Sequence, residues 1–525
     1  MAGRYVFTID LGTSGPKVAM FTLDGDYLDG EFSPVDLVLF PNGGVEQRPD
    51  DWWDGVVGAA QRLWSRLDVD PAEVAAVSVT SQWSGTVPVD SDGHHTHDAL
   101  IWMDARGVGV TNEMVTSRLN VGGYEPRKLK RWISLTGGAP SHSGKDPISH
   151  ILYIEDAMPE VARNTAVYLE PKDWLNLRLT GRAVATYDSI VLHWLTDNRD
   201  WNHIDYVPEL VAASGVDRSK LPDLIAATDI VGGVLADIAA ELGLVPGTPV
   251  IGGTPDVQSA TLGSGAVDDY QGHLYIGTSS WLTCHVPNKK TNLFSGVAAL
   301  PSPLPGRYFV ANEQECAGKC LTWLRDNVLW PDDALGGAPA PDDALHQMDA
   351  LAAGVPAGAH GVIFTPWLNG ERTPVDDHTI RAGWHNIELG THRADLVRAT
   401  LEGVAFNSRW LLEVVEKFCG RPFAGLNFIG GGANSDLWSQ IHADVLNLEI
   451  RQVAQPIRAN ARGAALLAAV ALGHSRPDEL SAKVEIAATY RPDPANREVY
   501  DDLYAEFAHL YKALKPIHRR LNRHR

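Results

Sequence analysis

The chain reads as an α/β protein of two large domains, on three observations. Short β-type apolar runs alternate with longer helical ones; 525 residues, 44% of them hydrophobic, exceed what one compact core normally holds; and one strand-turn-strand pattern recurs in each half. In order, "YVFTI" and "KVAMFTL" are strands joined by the turn "DLGTSGP", and "DDWWDGVVGAAQRLWSRL" is a helix. "VAAVSVT" and "AVYL" are further strands. The Pro- and Gly-rich "ELGLVPGTPVIGGTPD" is a hinge-like connection centred near Gly247, dividing residues 1–247 from 248–525. The second half repeats the mixture around "HLYIGTS", "GVIFTPW" and "LNFIGGG".

The formal charge is −21, from 44 Lys and Arg against 65 Asp and Glu. The long-range field therefore repels phosphate backbones and anionic membranes, and nucleic acid is not an expected partner. The longest apolar stretch, "GAALLAAVALG", is too short to span a bilayer, and the N-terminus carries no signal-peptide pattern. Four cysteines, Cys284, Cys316, Cys320 and Cys419, form no disulfide framework, and a cytoplasmic location with reduced thiols is the expectation.

Gly12, Thr13 and Ser14 form the first turn, and Gly277, Thr278 and Ser279 repeat it. Such turns direct backbone N–H groups and hydroxyls outward and make an anion-binding concavity, so two of them across a cleft suit a polyphosphate; two ordinary hairpins are the plain alternative. In "GGTPDVQSATLG", Asp256 stands between a Gly-rich strand and a small-residue helix. It can accept the proton of a hydroxyl attacking phosphorus, or simply cap the helix. "NFIGGGANSDLW" follows a strand with Gly430, Gly431 and Gly432, either a place for a nucleotide against the backbone or a tight turn; the Gly-Lys-Ser/Thr ending of a Walker A loop is absent. Trp83 and Trp102 end strand-like runs and are the tryptophans to place near a sugar face.

These stretches, with "IWMDARG", Gly144-Lys145, "EPKDWLNLRLTG", "NGERTP", "LEGVAFN" and a closing Tyr-rich helix, resemble the FGGY family of carbohydrate kinases, and within it the xylulokinase branch. The resemblance implies two actin-like (ribonuclease H-like) ATPase domains with a cleft between them. The first would carry the sugar and the second the nucleotide. It implies ATP and Mg²⁺, the ion held near Asp10 through water, and phosphates lined by Gly12, Thr13 and Ser14 on one side and Gly277, Thr278 and Ser279 on the other. It further implies nucleoside contacts at Gly431, Gly432 and Asn434, sugar contacts at Gln82, Trp83, Trp102 and Asp104, and Asp256 as catalytic base. A homodimer is the assembly it allows.

The sugar side departs from the branch more than the ATP side does. Trp83 and Ser84 stand where Met and His are usual, and Val257 stands where Asn usually follows the catalytic Asp. The implied reaction is transfer of the ATP γ-phosphate to a sugar or polyol hydroxyl. Another ketopentose, a pentitol, a hexulose or glycerol are alternative acceptors, and a non-catalytic nucleotide clamp is the alternative from another class.

Overall fold

The computed structural model describes residues 3–292 and 295–523. The first sheet contains β1 (Tyr5–Gly12), β2 (Gly15–Thr22), β3 (Tyr27–Phe32), β4 (Val74–Ser81), β5 (Ile230–Gly233) and β6 (Pro249–Pro255), in the spatial order β5-β6-β4-β1-β2-β3. β1, β2 and β3 form an antiparallel meander, whereas β4 and then β6 add parallel to β1. β6 thus carries the first sheet beyond the division drawn at Gly247.

β1 is apolar on both sides because both are covered. Phe7, Ile9 and Leu11 pack with Trp52, Val56, Ala59 and Leu63 of α1 (Pro49–Trp64). Two aspartates open α1 and Pro49 is its first residue, suiting the helix dipole and the missing N–H. Immediately after β6 comes α2 (Asp256–Gly263).

The second sheet repeats the plan. It contains β7 (Gly272–Ile276), β8 (Ser280–Val286), β9 (Lys290–Asn292), β10 (Val297–Pro301), β11 (Tyr308–Ala311), β12 (Leu426–Ile429), β13 (Ile450–Val453) and β14 (Ile486–Tyr490). Their spatial order is β9-β10-β11-β8-β7-β12-β13-β14. β7 and β8 are an antiparallel hairpin, β11 extends it, and β12 and β13 add parallel on the far side. The sheets therefore share a five-strand core, β3-β2-β1-β4-β6 in one and β11-β8-β7-β12-β13 in the other. This duplicated core is that of two actin-like ATPase domains.

The second half also supplies α3 (Gly318–Leu324), the 27-residue α4 (Arg393–Cys419) and α5 (Ala459–Ala471). α5 is the joint between the halves. Its Ala461, Ala465, Ala468 and Ala469 lie on Val6, Phe21 and Ile251 of the first sheet, while Leu466 and Leu467 pack with Ala260, Leu262 and Ile429. α2 and α5 approach so closely that a Cβ on Gly463 would sit 1.8 Å from the Ser259 carbonyl oxygen, and one on Gly263 would sit 1.8 Å from that of Ala459. Only glycine fits these two positions.

Candidate active site

β1, β4 and β6 run parallel, and their C-terminal ends are level: Asp10 pairs with Thr80, Leu11 with Ser81, and Pro255 with Ser81. Asp10, Gln82 and Asp256 therefore emerge together at one edge of the first sheet. Ligands of open α/β sheets bind at this end of the strands. Gly253 makes the alignment possible, because its φ is +75° and an added Cβ would lie 2.2 Å from the Val79 carbonyl oxygen.

The Asp10 side chain is buried, and its Oδ2 accepts from Lys17 Nζ at 3.1 Å across the β1–β2 pair. Asp256 is the first residue of α2, and its Oδ1 accepts the Val257 N–H at 2.8 Å. Among the described residues no donor is bonded to its other oxygen. Burial, reinforced by the charges of Asp10 and Glu313 and opposed by the Val257 N–H and Lys17, pushes the Asp256 carboxyl up to about 7.

The two repeated turns close antiparallel hairpins, as an anion cradle requires. Thr13 and Ser14 link β1 to β2, and Gly277 to Ser279 link β7 to β8. The N–H groups of Ala317 and Gly318, at the start of α3, hold the carbonyls of Thr278 and Gly277 at 2.9 and 2.8 Å. Among the described residues, the N–H groups of Thr13, Ser14, Thr278 and Ser279 have no protein acceptor. Gly430 begins the third loop with φ +86°, its Cα against the Ile276 carbonyl, and Gly431 to Asn434 form a single tight turn after β12. Gly431 and Asn434 are exposed and Gly432 is buried beneath them on Ile276. β12 is the parallel neighbour of β7, so this turn leaves the same sheet edge as the second phosphate-type loop.

Four residues were expected beside the acceptor, and the structure treats them differently. The Thr13 hydroxyl donates to Gln82 Oε1 at 3.1 Å and accepts from Trp102 Nε1 at 2.9 Å, joining both residues to the first loop. Trp83 Nε1 donates to the Ser189 carbonyl at 2.8 Å, and its ring tilts against Phe309 with centroids 6.0 Å apart. Among the described residues Asp104 makes no hydrogen bond to the other three. It is wholly buried, and its carboxylate accepts from the Val45 and Arg106 N–H groups and from the Arg106 guanidinium. The ion pair with Arg106 compensates its burial, which leaves its oxygens committed.

The sequence reading missed two groups of residues. Gln47 is buried and ties the site together, donating to the Thr13 carbonyl at 2.8 Å and accepting from Gln82 Nε2 at 2.8 Å and Trp52 Nε1 at 3.2 Å. Arg372, within "NGERTP", binds Glu313 and Glu315 and lies over the Trp102 ring at 5.5 Å, linking the two halves. Glu371 supports this arm by accepting from the Glu315 and Arg372 N–H groups, each at 2.9 Å, and from Asn407 at 2.6 Å. The "NGERTP" motif was the one signal for Arg372; nothing marked Gln47 or Glu313.

Among the described residues no cluster of three His, Cys, Asp or Glu side chains forms a protein-only metal cage, and no helix is long and apolar enough to cross a membrane. Paired carboxylates at the mouth of phosphate-type loops, on a duplicated actin-like core, define an ATP-dependent phosphotransferase. Models of the FGGY family of carbohydrate kinases match here: the N-terminal domain over residues 5–263 and the C-terminal domain over residues 273–472. The chain belongs to that family and is an ATP-dependent sugar kinase. It is 26% identical to a xylulose kinase of Bacillus subtilis, over 98% of both chains, and 24% identical to a gluconokinase of the same organism, over 99% of this chain and 96% of that one. A solved xylulose kinase from Rhodospirillum rubrum superposes with a TM-score of 0.80 at 25% identity, covering 98% of this chain and all of the other.

Proposed function

We propose that Asp256 is the general base of a phosphoryl transfer from ATP to a hydroxyl of a neutral sugar or polyol. The observation that carries this reading is the Asp256 carboxylate itself. It stands just past the end of β6, at the same sheet edge as Asp10, keeps one oxygen free of protein donors, and titrates near neutral pH in its surroundings. A base poised there takes a proton without being permanently charged. Asp256 accepts the acceptor's hydroxyl proton, that oxygen bonds to the γ-phosphorus, and the bond from phosphorus to the bridging oxygen breaks as ADP leaves. The free N–H groups of both Gly-Thr-Ser turns stabilise the oxyanions that build up charge.

Mg²⁺ suits the donor set. This ion is typically held by one or two carboxylates with substrate phosphates and water, and Asp10, with Asp256 nearby, supplies that kind of site. When bound it neutralises phosphate charge. Lys17 Nζ shares the Asp10 carboxylate at 3.1 Å.

The acceptor is read as neutral because two of the cleft's cations are already paired and the third, Lys145, already lies in the field of Glu313 and Glu315 as well as Arg372. Arg372 is paired with two glutamates and Lys17 with Asp10. A ketopentose of the xylulose type fits this reading, while Trp83, Ser84 and Val257 keep another ketopentose, a pentitol, a hexulose and glycerol in play. ADP release from MgATP across those compounds, with gluconate as the anionic comparison, tests it. Stimulation by a neutral compound and not by gluconate is the expected result; stimulation by gluconate alone would overturn the neutral acceptor.

A further inference from the structure

All four cysteines are free thiols, and two of them meet. Cys284 and Cys419 are 135 positions apart in sequence, yet their sulfurs lie 3.7 Å apart. Cys284 is buried on β8, four residues beyond Ser280, where β8 leaves the second phosphate-type turn. Cys419 is the last residue of α4 and is partly open to solvent. A sulfur–sulfur bond is about 2.05 Å long, so closure requires a movement of less than about 2 Å shared between two side chains.

Chemistry distinguishes this pair from the one that is close in sequence. Cys320 Sγ donates to the Pro366 carbonyl and is fully buried, and burial pushes the Cys316 thiol up to about 12. Neither becomes a thiolate readily. The Cys284 thiol, by contrast, hydrogen-bonds Cys419 and holds it below the ordinary thiol range; Lys290 and Arg421 add to this, against burial and Glu416. The reachable sulfur is therefore the nucleophilic one, and the buried sulfur stands behind it as the resolving partner.

We propose that Cys284 and Cys419 form an oxidisable dithiol site that reacts with peroxides and closes into a reversible disulfide between β8 and the end of α4. The Cys419 thiolate attacks a peroxide oxygen and the O–O bond breaks. The departing hydroxide takes a proton to become water, leaving a sulfenic acid. Cys284 then loses its proton as its sulfur attacks the Cys419 sulfur; the S–O bond breaks and hydroxide leaves with that proton as a second water. Two thiols lose two electrons to one peroxide, and a dithiol reductant reverses the change.

The test uses the full-length protein, prereduced and treated with equimolar hydrogen peroxide. Titratable thiols should fall from four to two, the mass of the intact chain should fall by roughly 2 Da, and peptide mapping should join Cys284 to Cys419. The crosslinked protein should melt about 3 °C or more above the reduced form, and dithiothreitol should abolish the difference. Cys419→Ser should give neither the mass loss nor the shift. A crosslink through Cys316 or Cys320, oxygen added to Cys419 without a crosslink, or four thiols still titrating would each overturn the proposal, and the wild-type mass alone decides the last two.

Discussion

Asp256→Asn should do two opposite things, silence the enzyme and stabilise the fold, and the second effect should depend on pH. The folded carboxyl titrates near 7 against an ordinary 3.8, an upward displacement of about 3 pH units. For a wholly buried group that corresponds to ~4 kcal/mol; Asp256 is partly exposed, and solvent screening brings the expected value to ~1–2 kcal/mol. A group whose pKa is raised by folding binds its proton more tightly in the native state. Its favourable contribution is complete below the unfolded pKa and is lost as pH rises through 7. Wild type therefore bears the cost at pH 8.5 and not at pH 4, and Asn, which never ionises, avoids it. Thermal melts of both proteins at several pH values should show Asn gaining on wild type as pH rises from 5 to 8.5, while coupled ADP release shows turnover reduced by at least ~10²-fold, as expected for loss of a general base. Turnover within tenfold of wild type, or a stability difference flat in pH, would refute the reasoning.

Other expectations follow from the same geometry. With the base in its free-enzyme state, kcat/KM should fall on acidification with a limb near pH 7, and Glu313→Gln should move that limb lower by roughly half a unit, because it removes a negative neighbour of Asp256; pH profiles of both proteins check this. Thr13→Val removes the hydroxyl that joins Gln82 to Trp102 and should lower kcat/KM for the acceptor by ~1–2 kcal/mol, about five- to thirtyfold, measured by initial rates. Gly253→Ala should destabilise the chain by ~2 kcal/mol or more in denaturant titration, since it combines a left-handed backbone with a 2.2 Å clash on Val79. Arg372→Gln leaves Glu313 and Glu315 without their cation, and its kcat/KM should drop at least ~tenfold with no loss of ATP binding, read by nucleotide titration.

The parts of the molecule legible in the sequence are those made locally. The two Gly-Thr-Ser turns are flanked by their own strands, so "YVFTI" with "KVAMFTL" and "HLYIGTS" with the apolar run after it announce hairpins within about twenty residues. The helix beginning at Pro49 and the strand before Gly430 are equally local. The unread parts depend on distant register. Gln47 meets Thr13 across 34 positions, Glu313 meets Arg372 across 59, and Cys284 meets Cys419 across 135. Taken singly, a glutamine or glutamate is expected in contact with water, and only the folded sheet edge gathers them. Asp104 shows the reverse difficulty. The acid of "IWMDARG" looks like a ligand in isolation, and only the fold shows its carboxylate shared between the Arg106 guanidinium and the Val45 N–H.

The central claim is that acceptor hydroxyl and ATP react together at Asp256. ADP release from MgATP, measured with and without each of a pentulose, a pentitol, a hexulose, glycerol and gluconate, addresses it most directly. The account predicts that at least one neutral compound raises ADP release by the wild type at least ~tenfold over the acceptor-free rate, with ADP and phosphorylated acceptor formed one for one. ADP release that no acceptor stimulates, with inorganic phosphate as its only partner product, would contradict it.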